Sequence, residues 1–189
     1  FRSYLANKNL AKITIAGFCN NYILVSQFYI IPLLLESSFG TEGLWKAFAP
    51  ATIIAIFVMR LAAKYADKGY SSQMSALAFG LITVGGITYF AANPLLITLG
   101  IIFFLSGYMC LVTLLPASVT KMSEKNHRGT VTGFFNTCQF IGSFVGGSIT
   151  GLLWGVNPIY SISLLLIIST LSAVLCKYTD LKEYAGQKQ

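Results

Sequence analysis

The sequence predicts an all-α membrane protein of six transmembrane helices, and three observations carry that expectation. Of its 189 residues 55% are hydrophobic and only 10% charged, with a mean hydropathy of +0.69. Soluble domains carry about 25% charged residues and disordered chains more, so this chain uses lipid as its solvent. The charges sit at the ends of apolar stretches long enough to cross roughly 30 Å of hydrocarbon at 1.5 Å per residue. Basic residues fall almost entirely on one side of those stretches, as the positive-inside rule requires.

The first span is placed at 9–35, since no charge lies between Lys12 and Glu36. The second, at 44–66, contains the charge-free interval from Lys46 to Arg60. Gly69 to Thr120 and Gly129 to Cys176 carry no charge at all, and each is too long for one span. An Asn-Pro pair interrupts each near its middle, at Asn93-Pro94 and Asn157-Pro158, because proline removes a backbone donor and restricts the residue before it. The third to sixth spans then fall at 72–92, 94–119, 130–154 and 158–177, with Pro116 expected to kink the fourth near its end.

One side of this arrangement receives Arg2, Lys8 and Lys12, then Arg60, Lys64 and Lys68, then Lys121, Lys125 and Arg128, and last Lys177, Lys182 and Lys188. The other side receives only Lys46, so twelve of the thirteen basic residues share a side. Both termini are therefore expected in the cytoplasm. The net charge of +7 and the pI near 9.3 are read as this orientation signal. They form no stripe of the kind that binds nucleic acid. Cys19, Cys110, Cys138 and Cys176 lie in apolar stretches without metal-ligand or disulfide-framework spacing, which marks them as packing residues; no metal or other cofactor is expected. The chain opens Phe1-Arg2-Ser3 with neither Met nor the features of a signal peptide, and a piece of a longer chain is expected.

The fifth span carries Thr132, Asn136, Gln139, Ser143 and Thr150 on one helical face. Gly142 with Gly146, and Gly147 with Gly151, have the small-xxx-small spacing that lets helix backbones approach closely. On the first span Thr14, Gly17, Asn20, Asn21 and Gln27 share an arc of roughly 140° at 100° per residue. The fourth adds Ser106, Cys110 and Thr113. Such residues either bond across helices and fix their register, or line a polar cavity. On the second reading Asn20, Asn21, Gln27, Ser106, Thr113, Asn136 and Gln139 are the substrate contacts. Apart from Gln73 at the start of the third, the third and sixth spans hold only Ser and Thr as small polar residues, which bond back to their own helix, and are expected at the periphery.

No Asp, Glu, Lys, Arg or His sits deep in any span, so a proton relay within this segment is not expected. The two Asn-Pro turns lie on one face in tight outer loops, unlike a paired-turn water pore. Thr83-Val84-Gly85-Gly86 lies inside a uniform apolar helix with no flanking pore helix. One histidine, His127, in a charged loop rules out haem held by two histidines and zinc protease chemistry, and there is no Gly-x-Ser-x-Gly elbow. An enzyme is not expected.

Six spans with both ends inside, a basic second connection and a Gly-rich fifth span resemble the C-terminal half of a major facilitator superfamily transporter, over essentially the whole chain. Arg128-Gly129-Thr130-Val131-Thr132-Gly133-Phe134-Phe135-Asn136 is similar to the start of that superfamily's eleventh helix. Ala63-Lys64-Tyr65-Ala66-Asp67-Lys68-Gly69 is similar to its loop motif, with the glycine one residue early and Ser71 and Ser72 in place of later basic residues. The resemblance implies a half bundle built as a three-plus-three inverted repeat, in which the first, second, fourth and fifth spans line the cavity. It implies a cytoplasmic gate at Asp67, Lys68 and Arg128, and Arg128 close to Asp67 when that gate is shut. The partners it implies are the lipid bilayer, the N-terminal six-helix half and a small-molecule substrate. The overall character is similar to the drug and sugar efflux branch, in which proton-coupling acids sit in the N-terminal half, and to antiporters of a bacterial inner membrane. A self-contained six-helix channel that homo-oligomerises through the glycine face, and a membrane scaffold, remain as alternatives.

Overall fold

The computed structural model of the chain describes residues 8–91 and 93–179. They form α1 (Lys8–Gly43), α2 (Trp45–Tyr65), a π turn at Ala66–Tyr70, α3 (Ser71–Ile87) ending in a 3₁₀ turn at Thr88–Ala91, α4 (Pro94–Met122), α5 (Arg128–Val156) and α6 (Pro158–Lys177). Five stretches are long and apolar enough to cross a membrane: Lys8–Glu36, Trp45–Ala91, Pro94–Met122, Lys125–Val156 and Pro158–Lys177. In hydrocarbon no water satisfies backbone groups, and helices close their own hydrogen bonds, which is why so apolar a chain is helical nearly throughout.

The helix ends have local causes. Asn93 and Asn157 are extended, and each side chain accepts the N–H of the residue two ahead, Leu95 and Ile159, at 2.9 Å. Pro94 and Pro158 follow at the first helical position, where a missing N–H leaves no bond unmade. Two glycines hold positive φ, Gly40 at 62° and Gly69 at 96°, and each bends a helical run that hydropathy alone would leave continuous. The expected loop between the second and third spans is therefore a tight turn with π-type bonding, and Trp45–Ala91, 47 residues in all, is two helices joined by a reversal at Gly69.

The contact registers give the helix directions. Gly142, Gly146 and Thr150 of α5 meet Phe18, Tyr22 and Ser26 of α1 in ascending order, so these two helices are parallel. Gly85 meets Gly100, and Ala78 meets Gly107, so α3 and α4 are antiparallel. The start of α2 joins α4 through an aromatic cluster, and Asp67 just past its end pairs with Lys121 at the end of α4, so α2 runs with α4. Consequently α2 and α3 run in opposite directions, and the 47-residue stretch doubles back at Gly69.

The core is held by α1 and α4, whose Ile23, Ile30, Ile31, Ile101, Leu111 and Leu115 are almost completely buried. α2 buries only small residues, Ala47, Ala51, Ala55 and Ala62, on one stripe toward the bundle, while Ile53, Phe57 and Leu61 point outward. Outward apolar side chains are what lipid solvates, so their exposure needs no protein partner.

Candidate functional site

The polar residues of α1 are turned into the bundle. Asn20 and Gln27 have no exposed surface. The Gln27 carbonyl oxygen accepts a hydrogen bond from the Tyr89 hydroxyl at 2.6 Å, whereas its amide nitrogen has no partner. Asn20 has no partner for either amide atom. Asn21 beside it is half-buried. Thr14 is buried and donates back to Leu10 O at 2.9 Å. Ser106 of α4 is buried, and Thr113 is exposed and bonded to Met109 O of its own helix. Fully enclosed groups do not line open space, so in this conformation Asn20, Gln27 and Ser106 belong to the packed interior.

The polar stripe of α5 divides. Asn136 is exposed and Gln139 half-buried, on the same side as Phe140 and Phe144. Thr150, two turns past Ser143, is buried and shares a 2.7 Å hydrogen bond with Ser26 of α1. Its carbonyl accepts from Ser161 of α6 at 3.1 Å. Thr150 thus ties three helices together, while Asn136 and Gln139, on the same helical face but about three to four turns earlier, are less enclosed.

The glycines of α5 differ sharply in what surrounds them. A Cβ at Gly142 would collide with the Phe18 backbone, and one at Gly146 would lie 2.6 Å from Tyr22 O and 2.9 Å from Tyr22 Cα. At Gly147 the only near atom is Val25 Cγ1 at 3.2 Å, and at Gly151 the Tyr29 ring lies 4.0 Å away. The α1/α5 seam is thus backbone against backbone at two positions only. A second seam of the same kind, between α3 and α4 at Gly85, Gly100 and Gly107, escaped the sequence reading. Its signal was the seven-residue separation of Gly100 and Gly107, which puts both on one face.

An aromatic cluster also escaped it. Phe28 of α1 stacks on Phe48 of α2 at 5.7 Å between ring centroids and meets Phe104 of α4 edge-on at 6.3 Å. Tyr108 lies one turn beyond Phe104 at 6.0 Å. Phe28 is half exposed, so an apolar platform joins three helices at the bundle surface. No sequence spacing links residues on three separate helices.

At the opposite end, Asp67 pairs with Lys121 at 3.6 Å, both side chains largely exposed. Among the described residues this is the ion pair of Asp67; the approach of Arg128 belongs to the expectation for a shut gate. Arg128 is half-buried with Nε enclosed and unpartnered. Lys68 Nζ lies 5.4 Å from the centre of the Tyr65 ring, a cation–π distance. His127 Nδ1 is 3.2 Å from Glu124 Oε2. Among the described residues no three His, Cys, Asp or Glu come together in a way that would hold a metal, and the four cysteines are free. The side chain of Glu42, and Asp180 and Glu183 altogether, lie outside the described residues, as do Arg2, Lys182 and Lys188.

Residues 1–147 match the family model described as the Major Facilitator Superfamily. The chain is 28% identical over 160 residues to the "Inner membrane transport protein YajR" of Escherichia coli (strain K12), which covers 82% of this chain and 35% of that protein. It is 28% identical over 165 residues to an "Uncharacterized transporter" of Buchnera aphidicola subsp. Baizongia pistaciae (strain Bp), covering 82% of the chain and 41% of the relative. With the "Uncharacterized MFS-type transporter YwoD" of Bacillus subtilis (strain 168) it shares 29% identity over 163 residues, 82% of the chain and 35% of the relative. The matched region thus spans 35–41% of these relatives' length. Several apolar helices and membership of this family make the chain part of a multi-pass integral membrane protein.

Proposed function

The chain belongs to the Major Facilitator Superfamily, and from that premise we propose that it forms the C-terminal six-helix half of a twelve-helix secondary transporter in a bacterial inner membrane. Each of α1 to α6 crosses the bilayer once, with both ends of the segment cytoplasmic. The reversal at Gly69 supports counting Trp45–Ala91 as two crossings, and the lysines gathered at one end support the orientation.

The whole transporter exports a small neutral or amphipathic solute by alternating access, with this bundle rocking against its partner half around a midplane site. Asn21, Thr113, Asn136 and Gln139 meet the solute as neutral donors and acceptors, and the Phe28 platform meets its apolar part. Asn20, Gln27 and Ser106 gain access to it in the other conformation. The orphaned amide of Asn20 carries this part of the reading: an enclosed polar group without a partner is destabilising, so a state that supplies one is favoured. Asp67, Lys68, Lys121 and Arg128 form the cytoplasmic gate. Proton coupling resides in the other half, since Glu36, Asp67 and Glu124 lie at stretch ends or in connections.

Proteoliposomes carrying the whole transporter, or this chain alone, test the reading. A proton gradient should drive movement of Nile red, a neutral amphipathic dye, with the whole transporter and not with the chain alone. Passive leak of sorbitol through the chain alone would identify a self-contained channel instead.

A further inference from the structure

We propose that the groove between the first turns of α1 and the last turns of α6 binds an anionic phospholipid. The groove has a volume of about 530 Å³ and is walled by Ile15 and Cys19 of α1 and by Ile168, Leu171 and Leu175 of α6. Its one charged lining residue is Lys12, at the end where α1 begins and α6 finishes. Lys12 Nζ donates to Tyr178 O at 3.1 Å, which anchors the ammonium at the mouth of the groove. An ammonium has three donors, so two remain for a phosphate. Lys8 and Lys177 are exposed at the same end. The ion pairs among the described residues, Lys121 with Asp67 and His127 with Glu124, leave all three ammonium groups without a carboxylate.

The dimensions fit a lipid. From Lys12 to Cys19 the groove runs about 10 Å along α1, roughly two-thirds of the ~15 Å depth of one leaflet's hydrocarbon. A headgroup phosphate at Lys12 therefore places the upper part of an acyl chain against Ile15, Leu171 and Ile168. Three cations without an ion-pair partner among the described residues select an anionic headgroup over a zwitterionic one, which brings a cation of its own to the same place. The proposed orientation puts this end in the cytoplasmic leaflet, whose anionic lipids attract such lysines. Lipid binding is read without transport, so failure of this inference and failure of the transport reading are distinguishable.

Native mass spectrometry of the protein in neutral detergent, titrated with phosphatidylglycerol or phosphatidylcholine of matched chains, tests the site. Phosphatidylglycerol should bind about fivefold more tightly, the ratio expected from one well-placed lysine. Lys12→Gln keeps a donor for the Tyr178 carbonyl but removes the charge. It should cut the preference below about twofold with an unchanged melting temperature in lipid-free detergent. Leu171→Trp, at an exposed position on the groove wall, should weaken both lipids, and Lys121→Gln should change neither. Equal binding of the two lipids by the wild type, or a Lys12→Gln protein that keeps the preference, overturns the proposal. So does a cysteine at Leu171 that cross-links to the other transporter half or to a second copy rather than to photoactivatable phosphatidylglycerol.

Discussion

Gly146 and Gly147 are neighbours in sequence with the same side chain, yet only one of them faces a backbone. The Tyr22 carbonyl and Cα that a Cβ at Gly146 would meet are fixed by α1 itself, whereas the Val25 methyl near Gly147 can rotate away. Gly146→Ala should destabilise the bundle by about 1–3 kcal/mol, the usual range for overpacking, and Gly147→Ala by less than about 1 kcal/mol. Thermal unfolding of both variants in detergent checks this, and equal losses would mean that the α1/α5 seam is looser than its geometry. The Tyr89 hydroxyl is the hydrogen-bond partner of the enclosed Gln27. Tyr89→Phe leaves that amide entirely unpaired and should lower stability by about 1–3 kcal/mol, more than the double variant Tyr89→Phe/Gln27→Leu, which removes both partners; Gln27→Leu alone orphans the buried Tyr89 hydroxyl. A single Tyr89→Phe variant no less stable than the double variant would show that water reaches the amide.

The most informative element is the helical stretch Trp45–Ala91, which reverses at Gly69. If it crosses twice, the exposed Lys46 and Asn93 lie on one side of the membrane and Lys68 on the other. Single cysteines at these positions in a cysteine-free background should react with an impermeant maleimide in intact cells at Lys46 and Asn93, and only after permeabilisation at Lys68. Labelling of Lys46 from outside but not of Asn93, or the reverse, would require a single crossing. Gly69→Ala forces a side chain into positive φ at 96° with open space around it. Its penalty is therefore conformational, roughly 1–2 kcal/mol, and it should be partly recovered by Gly69→Asn, which tolerates that region. The Asp67–Lys121 pair closes the same end of the bundle. Both partners being exposed, it contributes at most about 1 kcal/mol and biases a conformation without holding the fold. Reversing both charges should restore what each single reversal changes in cytoplasmic accessibility of Lys68; no restoration would sever the two residues.

At the scale of the molecule, gradient-driven work needs a group whose state differs between two conformations, because a ligand shifts an equilibrium only through differential affinity. Asn20, Gln27, Asn136 and Gln139 do not titrate. Glu36, exposed at the end of the first apolar stretch, is the acid nearest to a span interior among the described residues. The chain alone in proteoliposomes should accumulate no solute under a proton gradient, and accumulation abolished by Glu36→Gln would move the coupling site here. Coexpressed with the proposed N-terminal half, the chain should copurify with it in detergent.

Hydropathy, charge placement and the Asn-Pro pairs determined the solvent of this chain and where its helices begin, because each of those terms acts within a few residues. Asn93 caps α4 two residues on, whatever the rest of the molecule does. Which lysine or arginine comes within reach of Asp67 is not a local matter, since it depends on how α2 and α4 lie together, and here it is Lys121. Only the tertiary structure decided that Asn20 and Gln27 are enclosed while Asn136 is exposed, though all three sit on polar helix stripes. Lipid is the reason: when both the core and the surroundings are apolar, hydrophobic periodicity no longer separates inside from outside. The choice falls to shape instead, to glycines that admit a neighbour's backbone at Phe18 and Tyr22 and to rings such as Phe28, Phe48 and Phe104 that meet from three helices.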